Sequence, residues 1–232
     1  MSKTKKLKQK TTGFDILYRV VAAAMAAAMF PLVYFMNLIY FEIDHSNISG
    51  ILSLLTGEAD LGITYDYISL AKLGDYVDML KSFTGDDVSF NMSQLWSNAA
   101  YRPAIVAAAF LALALVIGLV IFCFALFSNR AKIVAVLSGA GLLFTGASYI
   151  SFTNFFANRV VSGDISLAQL FNAEGSLMSL IIEFVADISV LRLDSAFFAV
   201  LFLMLGLLIW SVSVIVVNAS DEKEKKLKAQ KN

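Results

Sequence analysis

Four stretches of this chain are long and apolar enough to cross a lipid bilayer, and almost nothing charged interrupts them. A spanning helix needs ~20 mostly apolar residues, because the hydrocarbon core is about 30 Å thick and a helix rises about 1.5 Å per residue. Residues 16–41, 103–127, 133–156 and 196–217 meet that requirement. The second, third and fourth carry no charge, and the first is broken only by Arg19, Pro31 and Asn37. Residues 175–191 are apolar on one side but carry Glu183 and Asp187, which makes them a poor span. Hydrocarbon offers the backbone no hydrogen-bond partners, so each span must satisfy its own peptide groups as a helix. The pattern therefore predicts an all-α fold, a four-span transmembrane helical bundle. Composition agrees: the chain is 59% hydrophobic and 16% charged, against roughly 45–50% and about 25% in soluble domains.

The first stretch is expected to be a retained anchor. Its apolar run exceeds the roughly 7–15 residues of a signal-peptide core, and its end, Leu38-Ile39-Tyr40-Phe41, lacks a small-x-small cleavage site.

Lys and Arg near the span ends set orientation. The formal net charge is zero, but it is segregated. Residues 1–19, 128–132 and 219–232 carry +5, +2 and +2, whereas residues 42–102 and 157–194 carry −6 and −3. The expected topology places both termini in the cytoplasm. It divides the chain into a basic tail (1–15), spans at 16–41, 103–127, 133–156 and 196–217, outer segments at 42–102 and 157–195, a cytoplasmic turn at 128–132 and a charged tail at 218–232. Lysine-rich ends, compact loops and a lack of cysteine pairs suit a bacterial plasma (inner) membrane.

The outer segments read as a cap of short amphipathic helices joined by Gly-containing turns. Helical spacing marks residues 47–55, a helix from Ser69 as N-cap to about Phe83, a short helix from Ser166 to Phe171, and a last one whose apolar face runs from Leu177 to Ile188. Residues 63–67 and 88–91 could instead pair as strands. Ser162-Gly163-Asp164 reads as a turn. On the last helix Glu183 and Asp187 fall on the polar stripe; with Trp96 and Tyr76 they form a candidate outer docking surface. The bland alternative is that the polar faces are simply solvated, and that Trp96 belongs to the interfacial aromatic belt.

A weak internal repeat runs through the chain. Ile68-Ser69-Leu70-Ala71-Lys72-Leu73 and Ile165-Ser166-Leu167-Ala168-Gln169-Leu170 agree at five of six positions, and Asn37 and Asn154 stand near the outer ends of the first and third spans. Two parallel hairpins, related by an axis along the membrane normal, would account for this; narrow membrane composition alone also produces such echoes.

Chemistry is harder to find. One histidine and one cysteine exclude a disulfide framework, multi-thiolate metal sites and most His-ligated centres. Phosphate-binding loops and nucleophile elbows are missing. A charge inside a membrane is costly and usually marks function, and the span interiors hold none. No catalytic residue, cofactor or metal site is expected, and no nucleic-acid partner. Asn37 and Asn154 are candidate interhelical polar contacts, and Ala135, Ser138, Gly141, Thr145 and Ser148 are a candidate packing face on the third span.

Four spans with a larger first outer loop are similar to the claudin and tetraspanin architectures, but the defining Gly-Leu-Trp with paired cysteines, or Cys-Cys-Gly, is absent. The expected function is therefore non-enzymatic. The leading expectation is an accessory or structural subunit of a membrane transport complex, in contact with lipid and with a membrane-protein partner or its own copies. The alternatives are a small homo-oligomeric channel or carrier, and an envelope adhesion or scaffold protein acting through its acidic cap.

Overall fold

The structure is a computed structural model and describes residues 13–43, 64–72, 74–75, 97, 99–128, 130–165 and 189–231. Helix α1 (Gly13–Phe35) leads into strand β1 (Asn37–Ile43), and strand β2 (Thr64–Ser69) ends in a 3-10 turn at Leu70–Lys72. Helix α2 (Arg102–Phe127) and helix α3 (Ala131–Phe152) follow, and α3 continues through a π turn (Thr153–Ala157) into a last α turn (Asn158–Val161). Strand β3 (Ser189–Leu193) then precedes helix α4 (Ser195–Lys231). All four helices are long and apolar enough to cross a membrane. The chain is thus a multi-pass helical bundle, in which each helix packs on its neighbours in sequence and α4 closes the ring against α1.

Lipid tails are as apolar as leucine, so helices in a membrane gain by fitting closely rather than by escaping water. Methionine and glycine supply much of that fit here. A Cβ placed on Gly141 of α3 would stand 2.7 Å from the Met204 sulfur of α4, and one on Gly118 of α2 would stand 3.0 Å from the Met29 sulfur of α1. Gly206 of α4 likewise receives the Met25 methyl of α1. Each seat is a missing side chain filled by an unbranched, adaptable one. Around them Ala22, Ala26, Ile121, Val200, Leu207 and Val214 are fully enclosed. On the outer side of α3, by contrast, Val136 and Leu143 are 73% and 76% exposed, which turns that face to the lipid.

Two polar links close the end of the bundle where the chain termini lie. The Tyr18 hydroxyl of α1 stands 3.2 Å from Ser211 Oγ of α4, both buried. The Arg19 guanidinium donates through Nε to the Ala125 carbonyl at 2.9 Å and through Nη2 to the Leu126 carbonyl. These belong to the last turn of α2, where backbone carbonyls have no helical partner and the helix dipole is negative.

The helices depart from the expected spans at their ends. The first helix stops at Phe35 rather than near 41, and residues 37–43 run on as β1. The all-α expectation is corrected accordingly: the bundle is helical, but a three-stranded antiparallel sheet, ordered β2-β1-β3, sits at one end of it. Leu38 to Phe41 are apolar either way, and hydropathy does not distinguish a helix that continues from a strand that begins. Strand residues 64–69 overlap the suggested strand at 63–67, but they pair with β1. Ser69 ends β2 instead of capping a helix, and residues 189–193 form an unexpected third strand on the other side of β1. The turn at 162–164 is present, with Gly163 at φ 75°, a left-handed value that favours glycine. Of the helix expected from Ser69 to about Phe83, residues 70–72 form a 3-10 turn; its residues 73 and 76–83, the helices expected at 47–55, 166–171 and 177–188, and the strand at 88–91 lie outside the described residues.

The methionine seats predict a coupled pair. Gly141→Val is expected to cost about 1–3 kcal/mol by overpacking, and Met204→Ala in the same chain should recover part of that loss. Reversible unfolding in detergent micelles checks both, and additive losses would contradict the contact. At the end of the bundle that holds the termini, Arg19→Gln is expected to lower stability by about 1–2 kcal/mol, with Arg19→Lys recovering only part because it lacks the planar fork.

Candidate functional site: the sheet and the crevice beneath it

β1 follows the first span and β3 precedes the last, while β2 comes from the segment between the first two, so the sheet gathers three chain segments over one end of the bundle. Its register is antiparallel throughout: Tyr40 faces Tyr67 on β2 and Arg192 on β3, and Phe41 faces Asp66 and Leu191. Alternation along a strand gives the sheet two faces. Ile39, Leu191 and Leu193 point towards the bundle, against Ala107 of α2 and Phe152 and Ala157 at the end of α3. Tyr40 and Tyr67 pack on the opposite face with ring centres 5.3 Å apart and their planes tilted by 53°, and the Tyr40 hydroxyl donates to Glu42 Oε2 at 3.0 Å. Desolvation within the sheet, followed by that hydrogen bond and the Glu42 charge, raises the Tyr40 phenol above its ordinary 10.0, against a smaller opposing pull from Arg192.

The sheet is bolted to α4 as well. The Asp194 N–H donates to the Leu38 carbonyl at 2.9 Å, and the Ser195 hydroxyl donates to the Asn37 carbonyl at 3.3 Å. The carbonyl of Asp194 then accepts from Phe197 N–H at 2.9 Å, which starts the helix. A small second core of Tyr101, Val160 and Ile165 fixes the approach to α2 against the end of α3.

Between sheet and helices lies an apolar crevice of about 450 Å³. Its walls come from Val33 of α1, Leu38 and Ile39 of β1, Leu70, the Ala104–Leu115 face of α2, Phe152 of α3 and Leu193 of β3. An irregularity in the β1–β2 register between Asn37 and Ile39 accompanies the arrangement in which Leu38 and Ile39 both line it. Ser148 is the polar residue of the lining, and its hydroxyl donates across to the Ala107 carbonyl of α2 at 2.8 Å.

The five small residues singled out on the third span are all buried along α3. Ser138 and Thr145 donate to carbonyls four residues back in their own helix, at 2.8 Å each, whereas Ser148 crosses to α2 and Gly141 seats Met204. Asn37 is the first residue of β1 and Asn154 is exposed in the π turn; the structure does not bring them together. Tyr76, Trp96, Glu183 and Asp187 lie outside the described residues. Sequence reasoning missed the Arg19 contact, the methionine seats and the strands β1 and β3 with their pairing. An arginine one turn inside a span was the available signal for the first; the other two depend on which segments meet in space.

Among the described residues no three His, Cys, Asp or Glu side chains converge as metal ligands. No protein-family model, known protein or solved structure matches the chain.

The raised Tyr40 phenol predicts a pH dependence of one sign. The folded sheet favours the neutral ring, so its contribution is intact below pH 10.0 and falls as pH rises through the higher folded value. Tyr40→Phe should flatten that alkaline fall in stability, measured by unfolding titrations alongside phenolate absorbance.

Proposed function

We propose that this protein is a non-enzymatic subunit of a plasma-membrane complex, accessory or structural to a transport machine, with both termini in the cytoplasm and the sheet on the outer face. The observation that carries this reading is the filled axis of the bundle. Tyr18, Met29, Ile121, Met204 and Leu207 are fully buried there, with the span interiors uncharged, so a single copy offers solutes no polar path. A chain without a path of its own acts through its surfaces. The orientation is supported by +9 on the side of the termini against −9 on the side of the sheet. The 37-residue α4 adds a second surface. At about 1.5 Å per residue it is ~55 Å long, well beyond a hydrocarbon core of about 30 Å. Its last turns therefore project into water, where Glu224 and Lys228 pair at 2.6 Å.

Solubilisation from the native membrane in mild detergent tests this reading. A stoichiometric heteromeric partner is the expected outcome. A homo-oligomer that carries solute across liposomes by itself would overturn it.

A further inference from the structure

The crevice beneath the sheet has the depth of one bilayer leaflet. Its wall on α2 runs from Ala104 to Leu115, eleven residue steps, or about 16 Å at ~1.5 Å per residue. Half of a hydrocarbon core of about 30 Å is ~15 Å. The crevice starts at the beginning of α2 and ends near mid-membrane. It is open to its surroundings, since Ala108 and Ala112 on its wall are exposed. At this depth those surroundings are lipid.

We infer that the crevice holds one acyl chain of a phospholipid from the leaflet on the sheet side, with the lipid phosphate beside Lys72. The lining suits a hydrocarbon chain. Its polar residue, Ser148, has its hydroxyl engaged with Ala107, so the walls fix no polar group of a ligand. A volume of about 450 Å³ falls within the ~300–1,000 Å³ of ordinary ligand sites. One cation lies close to the crevice: Lys72 shares its 3-10 turn with Leu70 on the crevice wall. Arg102, by contrast, stands eleven residues before Leu113 and so starts the face of α2 that turns away from the crevice. Lys72 is exposed on a side of the molecule whose net charge is negative; Asp75 is the acid that follows it. A phosphodiester oxygen accepts from such an ammonium at the interface, while the lipid chain fills the apolar hollow. The inference concerns this chain alone and stands whether or not the proposed complex exists.

Native mass spectrometry of the full chain tests it. The protein is purified in mild detergent, washed, and re-exposed to phosphatidylcholine vesicles containing phosphatidylglycerol. The wild type should retain one phospholipid per chain. Ala108→Phe with Ala112→Phe should lower the occupied fraction at least tenfold, whereas Leu113→Phe, on the lipid-facing side of α2 outside the crevice, should leave it unchanged. Lys72→Gln should reduce retention several-fold, whereas Arg102→Gln should leave it unchanged. Helix content by circular dichroism verifies folding. If the double phenylalanine chain does not fold, Ala112→Leu provides the same direction with a smaller loss. A wild type that holds only detergent overturns the inference. So does undiminished retention in the crevice variants, or a partner protein's helix found cross-linked at position 108 in place of lipid.

Discussion

Hydrocarbon withdraws the usual reward for burying apolar side chains, and the rest of this structure depends on how the helices answer that. With lipid as solvent, contact between helices is stabilised by packing that lipid chains cannot match. Methionine side chains from α1 and α4 lie over glycines on α2, α3 and α4, so the backbones approach where a Cβ would collide. Serine and threonine on α3 hydrogen-bond carbonyls, within the helix or across to α2, so that their hydroxyls are not left bare. A bundle built in this way is filled along its axis. That filling, more than any missing motif, directs attention to the surfaces and to the ends.

The second constraint is the backbone itself. Inside the bilayer each peptide group is satisfied within its own helix, but that arrangement ends where the helix ends. Arg19 meets the problem at the end of α2 by donating to its final carbonyls. At the opposite end β1 meets it with strands on both sides, one following shortly in the chain and one about 150 residues away. The sheet thereby ties the first span to the last. The Asp194 and Ser195 bonds to Leu38 and Asn37 place that tie at the beginning of α4, which makes the sheet part of the bundle's closure.

The helices were legible because hydropathy over ~20 residues reports the solvent directly. The expected second span, 103–127, differs from α2 by a single residue at its start. Of the sheet only the strand at 63–67 was legible; its partners β1 and β3 were not, for two separate reasons. Leu38-Ile39-Tyr40-Phe41 is apolar throughout, so it extends a hydrophobic run without declaring its period. Val190 to Leu193 is short and follows a stretch whose apolar spacing looks helical, and its partner lies in the first hairpin. Strand pairing is a relation between distant segments, and no local window contains it. The small residues of α3 could be read as a stripe, but not the methionines that fill it, since a flexible side chain takes its place from its neighbours.

The crevice follows from the same end effects. Helix α1 stops at Phe35, and beyond it the chain crosses above the bundle as a strand; the hollow between that strand and the α2 face from Ala104 to Leu115 is bounded by Val33 of α1 and by Ser148 and Phe152 of α3. Alanines at 104, 107, 108 and 112 do not fill the space that the departing helix vacates. In water such a hollow would be a defect that core packing removes at a gain of about 1 kcal/mol per methyl-sized void. In a membrane it is bounded by lipid, and the cost falls away once a chain from the bilayer lies in it. The sheet that ties the ends of the bundle thus also creates the surface most exposed to lipid identity. Changes that reposition β1, rather than changes within the spans, should alter that surface first.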